Sequence, residues 1–351
     1  MVPSLFVIAE AGVNHNGRLD LAMELVNAAA ASGADAVKFQ TFRAENLATR
    51  NAPKARYQER STDDASQFEM LKRLELDAEA HRVLAAHAER KGIEFMSTPF
   101  DLESVSLLEK LGVRRFKVPS GELTNPLLLR AMARTGRPLI VSTGMATLGE
   151  IEFSLATIAE QLAPERSDTE VFWTEKGQQF LKERVTLLHC TSEYPAPPTS
   201  VNLRALQTLA ATFCLPVGYS DHTEGLAISA AAVALGATVI EKHFTLDRTL
   251  PGPDHMASLE ARELPAFVAS LRAVVQALGT GRKVPTPAEV PNRVVSRRSL
   301  VAQVPIQCGE PFTTVNLTVK RPGSGIPASR YDDLLGRIAH HDYATDDLIN
   351  E

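Results

Sequence analysis

Cysteine is scarce in this chain. Cys190, Cys214 and Cys308 are the only three among 351 residues, and their odd number and wide spacing exclude a disulfide framework and offer no metal-type pairing. Such usage fits a reducing compartment, and the expected location is the cytoplasm. Basic runs are missing too: 37 Lys and Arg stand against 42 Asp and Glu, a formal charge of −5, which gives nucleic acid no electrostatic footprint. No stretch approaches the roughly 18 apolar residues a membrane helix requires. The opening MVPSLFVIAEAG has no basic segment and too short an apolar run for a signal peptide, so the expectation is a soluble protein without a membrane partner. A GxGxxG turn does not follow the first strand candidate, which removes the dinucleotide fingerprint of a doubly wound sheet. What is there is 44% hydrophobic and 23% charged residues, enough for a sizeable core, on a length that suits one large and one small domain.

Short β-rich runs alternate with helical patterns. The strand candidates are LFVIAE, DAVKFQT, IEFMSTP, RRFKVPS, PLIVST, VTLLHC, LPVGYSDH and TVIEKHF, separated by Ala- and Leu-rich stretches such as EAHRVLAAHAERKG. Eight βα units within 279 residues predict a closed (β/α)8 barrel, an α/β fold usually built from about 250 residues. Two connections are long. Residues 42–66 follow a strand C-terminus, where active-site loops belong; residues 166–184, with the only tryptophan, precede a strand and read as a structural insertion. Residues 280–295 are rich in Pro and Gly and read as a semi-rigid linker. Residues 296–351 read as a small β-rich domain that leans on a barrel, its own or a neighbour's.

The barrel reading turns attention to the strand ends. The last strand runs from Val239 and Ile240 straight into Glu241, Lys242 and His243, although charges are seldom buried unless paired, metal-bound or used. Period-two alternation places Val239, Glu241 and His243 on one side, and if that side faces inward the two polar groups emerge in the barrel mouth. The other strands end in polar groups as well: Glu10, then Asn14 and His15; Lys38 and Gln40; Thr98; Lys117 and Ser120; Ser142 and Thr143; Ser192 and Tyr194; Ser220, Asp221 and His222. His222 and His243 on adjacent strands form a candidate metal pair. Imidazole suits Mn, Zn or Fe, and oxygen-rich surroundings pull toward Mn or Mg. Lys38 and Lys117 with Thr98, Ser120, Ser142 and Ser220 match a small, multiply charged anion such as a phosphate plus a carboxylate. A Schiff-base lysine is the alternative, with no obvious base beside either one. Ser220 and His222 stand two residues apart without a nucleophile elbow, which makes a hydrolase pair a weak reading. Lys320 and Arg321 sit on a Pro/Gly-rich loop of the small domain, either as a solvated pair or, if the domain covers a barrel mouth, with Arg321 as a substrate contact.

The motifs AEAGVNHNG, AVKFQT, STPF, FKVPSGE, STGM, HCTSEYPAP, GYSDHT, EKHFTLDR, PGPDH and KRPGSGI, in that order, resemble the sialic acid synthase family over essentially the whole chain. The resemblance implies a (β/α)8 barrel followed by an antifreeze-like SAF domain. It implies condensation of phosphoenolpyruvate with N-acetylmannosamine to N-acetylneuraminate and phosphate by C–O cleavage, with the N,N'-diacetyllegionaminate reaction as the alternative. It also implies a divalent metal, foremost Mn2+ with Mg2+ or Co2+ as alternatives, on His222 and His243. Lys38, Thr98, Lys117, Ser120, Ser142 and Ser220 would hold phosphoenolpyruvate. Glu10, Gln40, Tyr194 and Asp254 would face the sugar. Arg321 would reach its acyl group from the partner of a domain-swapped homodimer. Glu241 or Glu10 would handle the proton of the attacking water. Ser192 departs from the asparagine of some members, which weakens that contact alone. A non-catalytic sugar- or phosphate-binding protein is the reading from a different class, and ice binding does not suit a terminal domain charged throughout.

Overall fold

The computed structural model describes residues 5–55, 58, 59, 62, 64–162 and 169–350. The chain divides into two units, residues 1–280 and 281–351.

The first unit is a barrel of eight parallel strands: β1 (Phe6–Gly12), β2 (Ala36–Thr41), β3 (Glu94–Pro99), β4 (Phe116–Val118), β5 (Leu139–Ser142), β6 (Val185–Cys190), β7 (Val217–Asp221) and β8 (Val239–Thr245). Hydrogen-bonded ladders run in the order β3-β2-β1-β8-β7-β6-β5-β4, and β3 and β4 lie against each other to close the cylinder. The (β/α)8 expectation holds. Most strands are buried on both faces, as parallel strands under a ring of helices must be. Outward-facing Val7, Ala9, Val37, Phe39 and Ile240 join the core shared with the helices. Inward-facing Ile8, Ala36, Met96, Ile140, Leu188 and Val239 form a separate apolar plug inside the barrel. Gly218 completes that layer, because a Cβ there would sit 2.5 Å from the Val239 carbonyl and 2.6 Å from Leu188. One alternation further along each strand the interior turns polar, and this step from plug to polar layer sets the floor of the site.

Helix starts follow local chemistry. Ser66 accepts from the Glu69 amide, Asp77 from the Ala80 amide, and Thr147 with Glu150 forms a capping box. The long β2–β3 connection carries two short helices, Ala44–Leu47 and Gln67–Leu74, before the helix Ala78–Lys91 that belongs to the barrel ring; its residues 56, 57, 60, 61 and 63 lie outside the described set. The 166–184 stretch, whose first three residues also lie outside it, holds a 3-10 turn Thr169–Trp173 and a helix Glu175–Arg184, both against the helix Leu148–Ala159.

The second unit pairs Ser299–Ala302 antiparallel with Leu317–Lys320 around a core that includes Leu300, Ile306, Phe312, Leu317, Tyr343 and Ile349. The Pro/Gly-rich stretch read as linker ends in a helix, Val290–Ser296. Among the described residues no helix is long and apolar enough to cross a membrane.

Candidate active site

Glu10, Lys38 and Glu241 occupy the polar layer of three adjacent strands, since Glu10 is paired in register with Lys38 on one side and with His243 on the other. Lys38 Nζ lies 2.6 Å from Glu10 Oε2 and 3.5 Å from Glu241 Oε2, and it donates to Thr98 Oγ1 at 2.8 Å. Lys117 Nζ donates to Ser142 Oγ at 2.6 Å and lies 3.6 Å from Glu241 Oε1, which also accepts from Ser220 Oγ at 2.7 Å. Two cations and two carboxyls thus interleave in a buried layer at the bottom of the cleft. Burial alone would raise both acids, and their neighbours separate them. Glu10 is pushed up to about 8 by burial against the opposing pull of Lys38. For Glu241 the burial effect is outweighed by Lys117 and Lys38, with help from the Ser220 hydroxyl, and it falls to about 2. With Glu10 protonated, Lys38, Lys117 and Glu241 leave one net positive charge facing the cleft, suited to an anion.

The two imidazoles stand above this layer with ring centroids 5.4 Å apart. His222 Nδ1 donates to the Thr191 carbonyl at 2.6 Å. A carbonyl can only accept, so the lone pair of His222 is on Nε2. His243 Nδ1 is buried without a hydrogen-bond partner, 3.9 Å from Asp254 Oδ2. Burial keeps both rings neutral, His222 at about 4 and His243 well below the usual histidine range. Two neutral imidazole nitrogens, one of them an orphan and the other with its tautomer fixed by a backbone carbonyl, suit a divalent metal. Among the described residues no group of three or more His, Cys, Asp or Glu converges on one point, so the remaining coordination positions would fall to water or substrate.

Tyr194 stacks on His222 at 4.0 Å between ring centroids, and its edge meets His243 at 5.6 Å. Asp254 is buried, and desolvation raises its carboxyl to about 6 against Lys38. Gln40 and Ser192 complete the same cleft, which has a volume of about 360 Å3. Ser120 Oγ accepts from the Gly144 amide at 3.0 Å and lies 3.1 Å from Cys190 Sγ. The fourteen barrel residues to which the resemblance gave a substrate, metal or proton role line this one cleft, whereas Asn14, His15, Thr143 and Asp221 do not. Arg321 belongs to the second unit, where its Nε donates to the Ser296 carbonyl at 3.1 Å.

Other strand-end residues serve the scaffold. Asn14 donates to the Phe244 carbonyl and to Ser258 Oγ, which in turn donates to the Asp254 carbonyl and so braces the Asp254 loop. Asp221 faces away from the cleft and pairs with Lys242 at 3.0 Å. Strand-end reasoning missed Gly144 and Cys190. A Cβ on Gly144 would come within 2.8 Å of Ser120 and 2.7 Å of Ser192, so this position keeps the nest around Ser120 open. It also missed the wall supplied by the β2–β3 connection, including Leu47, Gln58, Gln67 and Leu71, with Phe100 just beyond β3. Only the length of that loop pointed there.

Comparison with known proteins identifies the family. Residues 25–283 match the NeuB family and residues 297–350 the SAF domain. The chain is 51% identical, over 98% of both sequences, to the N,N'-diacetyllegionaminic acid synthase of Campylobacter jejuni. It is 48% identical to the protein of the same name from Legionella pneumophila, over 94% of this chain and 89% of that one. Among solved structures, N-acetylneuraminic acid (sialic acid) synthetase from Leptospira borgpetersenii, in complex with citrate, is 34% identical and aligns with a TM-score of 0.69 over 83% of this chain and 90% of that chain. The Campylobacter and Legionella relatives correct one expectation: the N-acetylneuraminate synthase assignment gives way to its alternative. The quoted motifs carried the resemblance to the family as a whole and did not separate one acceptor sugar from another. The chain belongs to the NeuB family and is an enzyme of sialic-acid-type carbohydrate biosynthesis.

Proposed function

We propose that this NeuB-family chain condenses phosphoenolpyruvate with a diacetamido-trideoxy-hexose, giving N,N'-diacetyllegionaminate and phosphate. The observation that carries the acceptor assignment is the near-full-length identity to two proteins named for that product. The cleft supports the donor half, because Lys38 and Lys117, with Thr98, Ser142 and Ser220 bonded into the same layer, present fixed donors to a doubly anionic substrate. Ser120, positioned by the Gly144 amide, extends that donor set.

Phosphoenolpyruvate seated on this layer offers C3 to the aldehyde carbon of the sugar. A C–C bond forms as positive charge develops at C2. Water adds to C2 and gives up its proton, and the resulting tetrahedral intermediate releases phosphate by breaking the C–O bond. Holding both substrates in line turns a bimolecular encounter into an oriented one. Glu10, on the cleft wall beside Lys38, is assigned to the water proton; with a folded value of about 8 it accepts that proton only from its ionised form, so this step gains as pH rises toward 8. Glu241, engaged by Ser220 and both lysines, is assigned to fixing the two cations. Gln40, Tyr194, Asp254 and Ser192 face the acceptor. His222 and His243 would hold a divalent metal, foremost Mn2+, which supplies Lewis-acid polarisation of the sugar's carbonyl oxygen when bound. The active species is a homodimer in which the SAF domain is exchanged and Arg321 of the second copy contacts the acyl group.

Phosphate release from phosphoenolpyruvate in the presence of Mn2+ tests the reading. Turnover is expected with the diacetamido-trideoxy-hexose, well above that with N-acetylmannosamine. Turnover confined to N-acetylmannosamine would overturn the acceptor, and no release with either sugar would overturn the reaction.

A further inference from the structure

The cleft has two unlike halves. Its floor holds the charged layer and the imidazoles. The wall that rises from the β2–β3 connection is neutral in its described lining: Leu47 on the first short helix, Leu71 on the helix Gln67–Leu74, and Phe100 just beyond β3, with the amides of Gln58 and Gln67 beside them. Leu47, Leu71 and Phe100 are each only partly buried and line the cavity.

This wall is a constructed element. Against it Val13, Phe42, Met70 and Leu74 form a small apolar cluster of their own, distinct from the main core, of which Val13, Met70 and Leu74 also line the cavity. Phe42 and Phe100 meet edge to face at 6.1 Å. Glu75 Oε1 accepts from the Ala44 amide at 2.6 Å, and Lys72 bridges Glu45 at 2.8 Å and Glu75 at 3.1 Å, tying the two short helices together. Gln67 Nε2 reaches Gln58 Oε1 at 3.5 Å across the same surface. A connection that packs its own core and cross-links its helices presents a fixed shape to whatever occupies the cleft.

From this geometry we infer that the Leu47–Leu71–Phe100 wall is the specificity element for the acceptor, selecting a sugar whose ring carries methyl and acetamido groups where a common hexosamine carries hydroxyls. The inference rests on the proposed reaction and deepens it. With phosphoenolpyruvate on the lysine layer, the acceptor is left the outer half of the cleft, between this wall and Tyr194. Methyl and acetyl groups against Leu47, Leu71 and Phe100 bury apolar area, and the amide of an acetamido group matches Gln67, which Gln58 holds in place. A hydroxyl turned to the three apolar side chains loses its water without gaining a partner. An apolar surface rejects an added hydroxyl by roughly 100-fold at most, which sets the scale of the selection.

The test is steady-state kinetics of the full chain, varying the diacetamido-trideoxy-hexose and N-acetylmannosamine in turn with Mn2+ and phosphoenolpyruvate. Leu71→Gln is expected to lower the ratio of kcat/KM for the first sugar over the second by about tenfold or more, with KM for phosphoenolpyruvate unchanged. Leu47→Gln, on the other helix, repeats the measurement should Leu71→Gln fail to fold. Equal losses for both sugars, or an unchanged ratio in both variants, would overturn the inference while wild-type turnover of the diacetamido sugar left the reaction standing. Wild-type chain without turnover of that sugar would overturn the reaction and this inference together.

Discussion

Buried histidines in this chain do two kinds of work, told apart by what their nitrogens meet. His255 is fully used: Nδ1 is 2.7 Å from Thr245 Oγ1 and Nε2 is 3.2 Å from Asn16 Oδ1, which pins the loop after β8 to the loop after β1. His15 accepts the Gly17 amide on Nδ1 at 3.0 Å, and its Nε2 is buried without a hydrogen-bond partner. Burial holds both neutral, His15 at about 3 and His255 at about 4. Because these values lie below the ordinary 6.5 of an unfolded chain, the unfolded state takes up the protons first. Their contribution to stability is complete above pH ~6.5 and is lost as pH falls toward the folded values. At pH 4.5 the loss is about 2–3 kcal/mol for each ring, at ~1.4 kcal/mol per unit. Glu10 works the other way: its folded value of about 8 lies above the unfolded one, so it stabilises at low pH and loses that contribution between about 4.5 and 8. It offsets about half of what the two rings lose. The melting temperature of the metal-free chain is therefore expected to fall by several degrees between pH 6.5 and 4.5, with a shallower fall in His255→Asn; a flat profile would refute the assignment. At this scale the sequence was most legible where alternation could be applied. The same period that pointed Glu241 and His243 inward also turns Asp221 outward, while the orphaned Nδ1 of His243 depends on three strands meeting and cannot be read from one.

Strands β7 and β8 carry the two imidazoles, and a buried pair on their outer side joins them. Asp221 and Lys242 are partners in register, with Nζ 3.0 Å from Oδ2, and Lys242 also donates to the Thr223 carbonyl. Asp221 accepts further from the Thr223 amide, the Thr223 hydroxyl and Ser229 Oγ. Such a network satisfies every oxygen, but its worth depends on both charges being present. Lys242→Met is expected to cost about 3–5 kcal/mol, since it leaves the Asp221 charge buried and unpaired. Adding Asp221→Asn should return part of that loss, because no bare charge is left. Urea unfolding of the single and double variants checks both signs; a double variant weaker than the sum of the singles would sink the argument. Elements themselves were largely legible, because eight β-rich runs between helical patterns leave few alternatives. The two short helices between β2 and β3 were not, since four to eight residues among charged neighbours carry too little periodicity to register.

At the scale of the whole molecule, the question is what covers the start of the second unit. Val284, Val290, Val294 and Val295 are 50–67% exposed in the single chain, three of them on the short helix Val290–Ser296. Four valines in a dozen residues are more than a solvated connector needs, and an apolar cluster of this kind is the usual mark of an interface. The second unit that follows has a core of few residues, small for a domain that must hold its shape unaided. Composition alone showed the Pro/Gly-rich texture of this stretch and hid its valines, because a connector and an interface strap share that texture. The proposed acceptor wall was hidden for a related reason: Leu47 and Leu71 fall between the quoted motifs, and Phe100 ends STPF, where the reading stopped at Thr98. A homodimer that exchanges the second unit gives the valines a partner and brings Arg321 of one copy to the sugar of the other. Sedimentation velocity of the intact chain should then give a species of twice 38.1 kDa. Replacing Val294 and Val295 with glutamate should shift it toward monomer and raise KM for the sugar, while Arg321→Ala should raise that KM with the dimer intact. A wild-type monomer at working concentration would remove both the exchange and the role of Arg321.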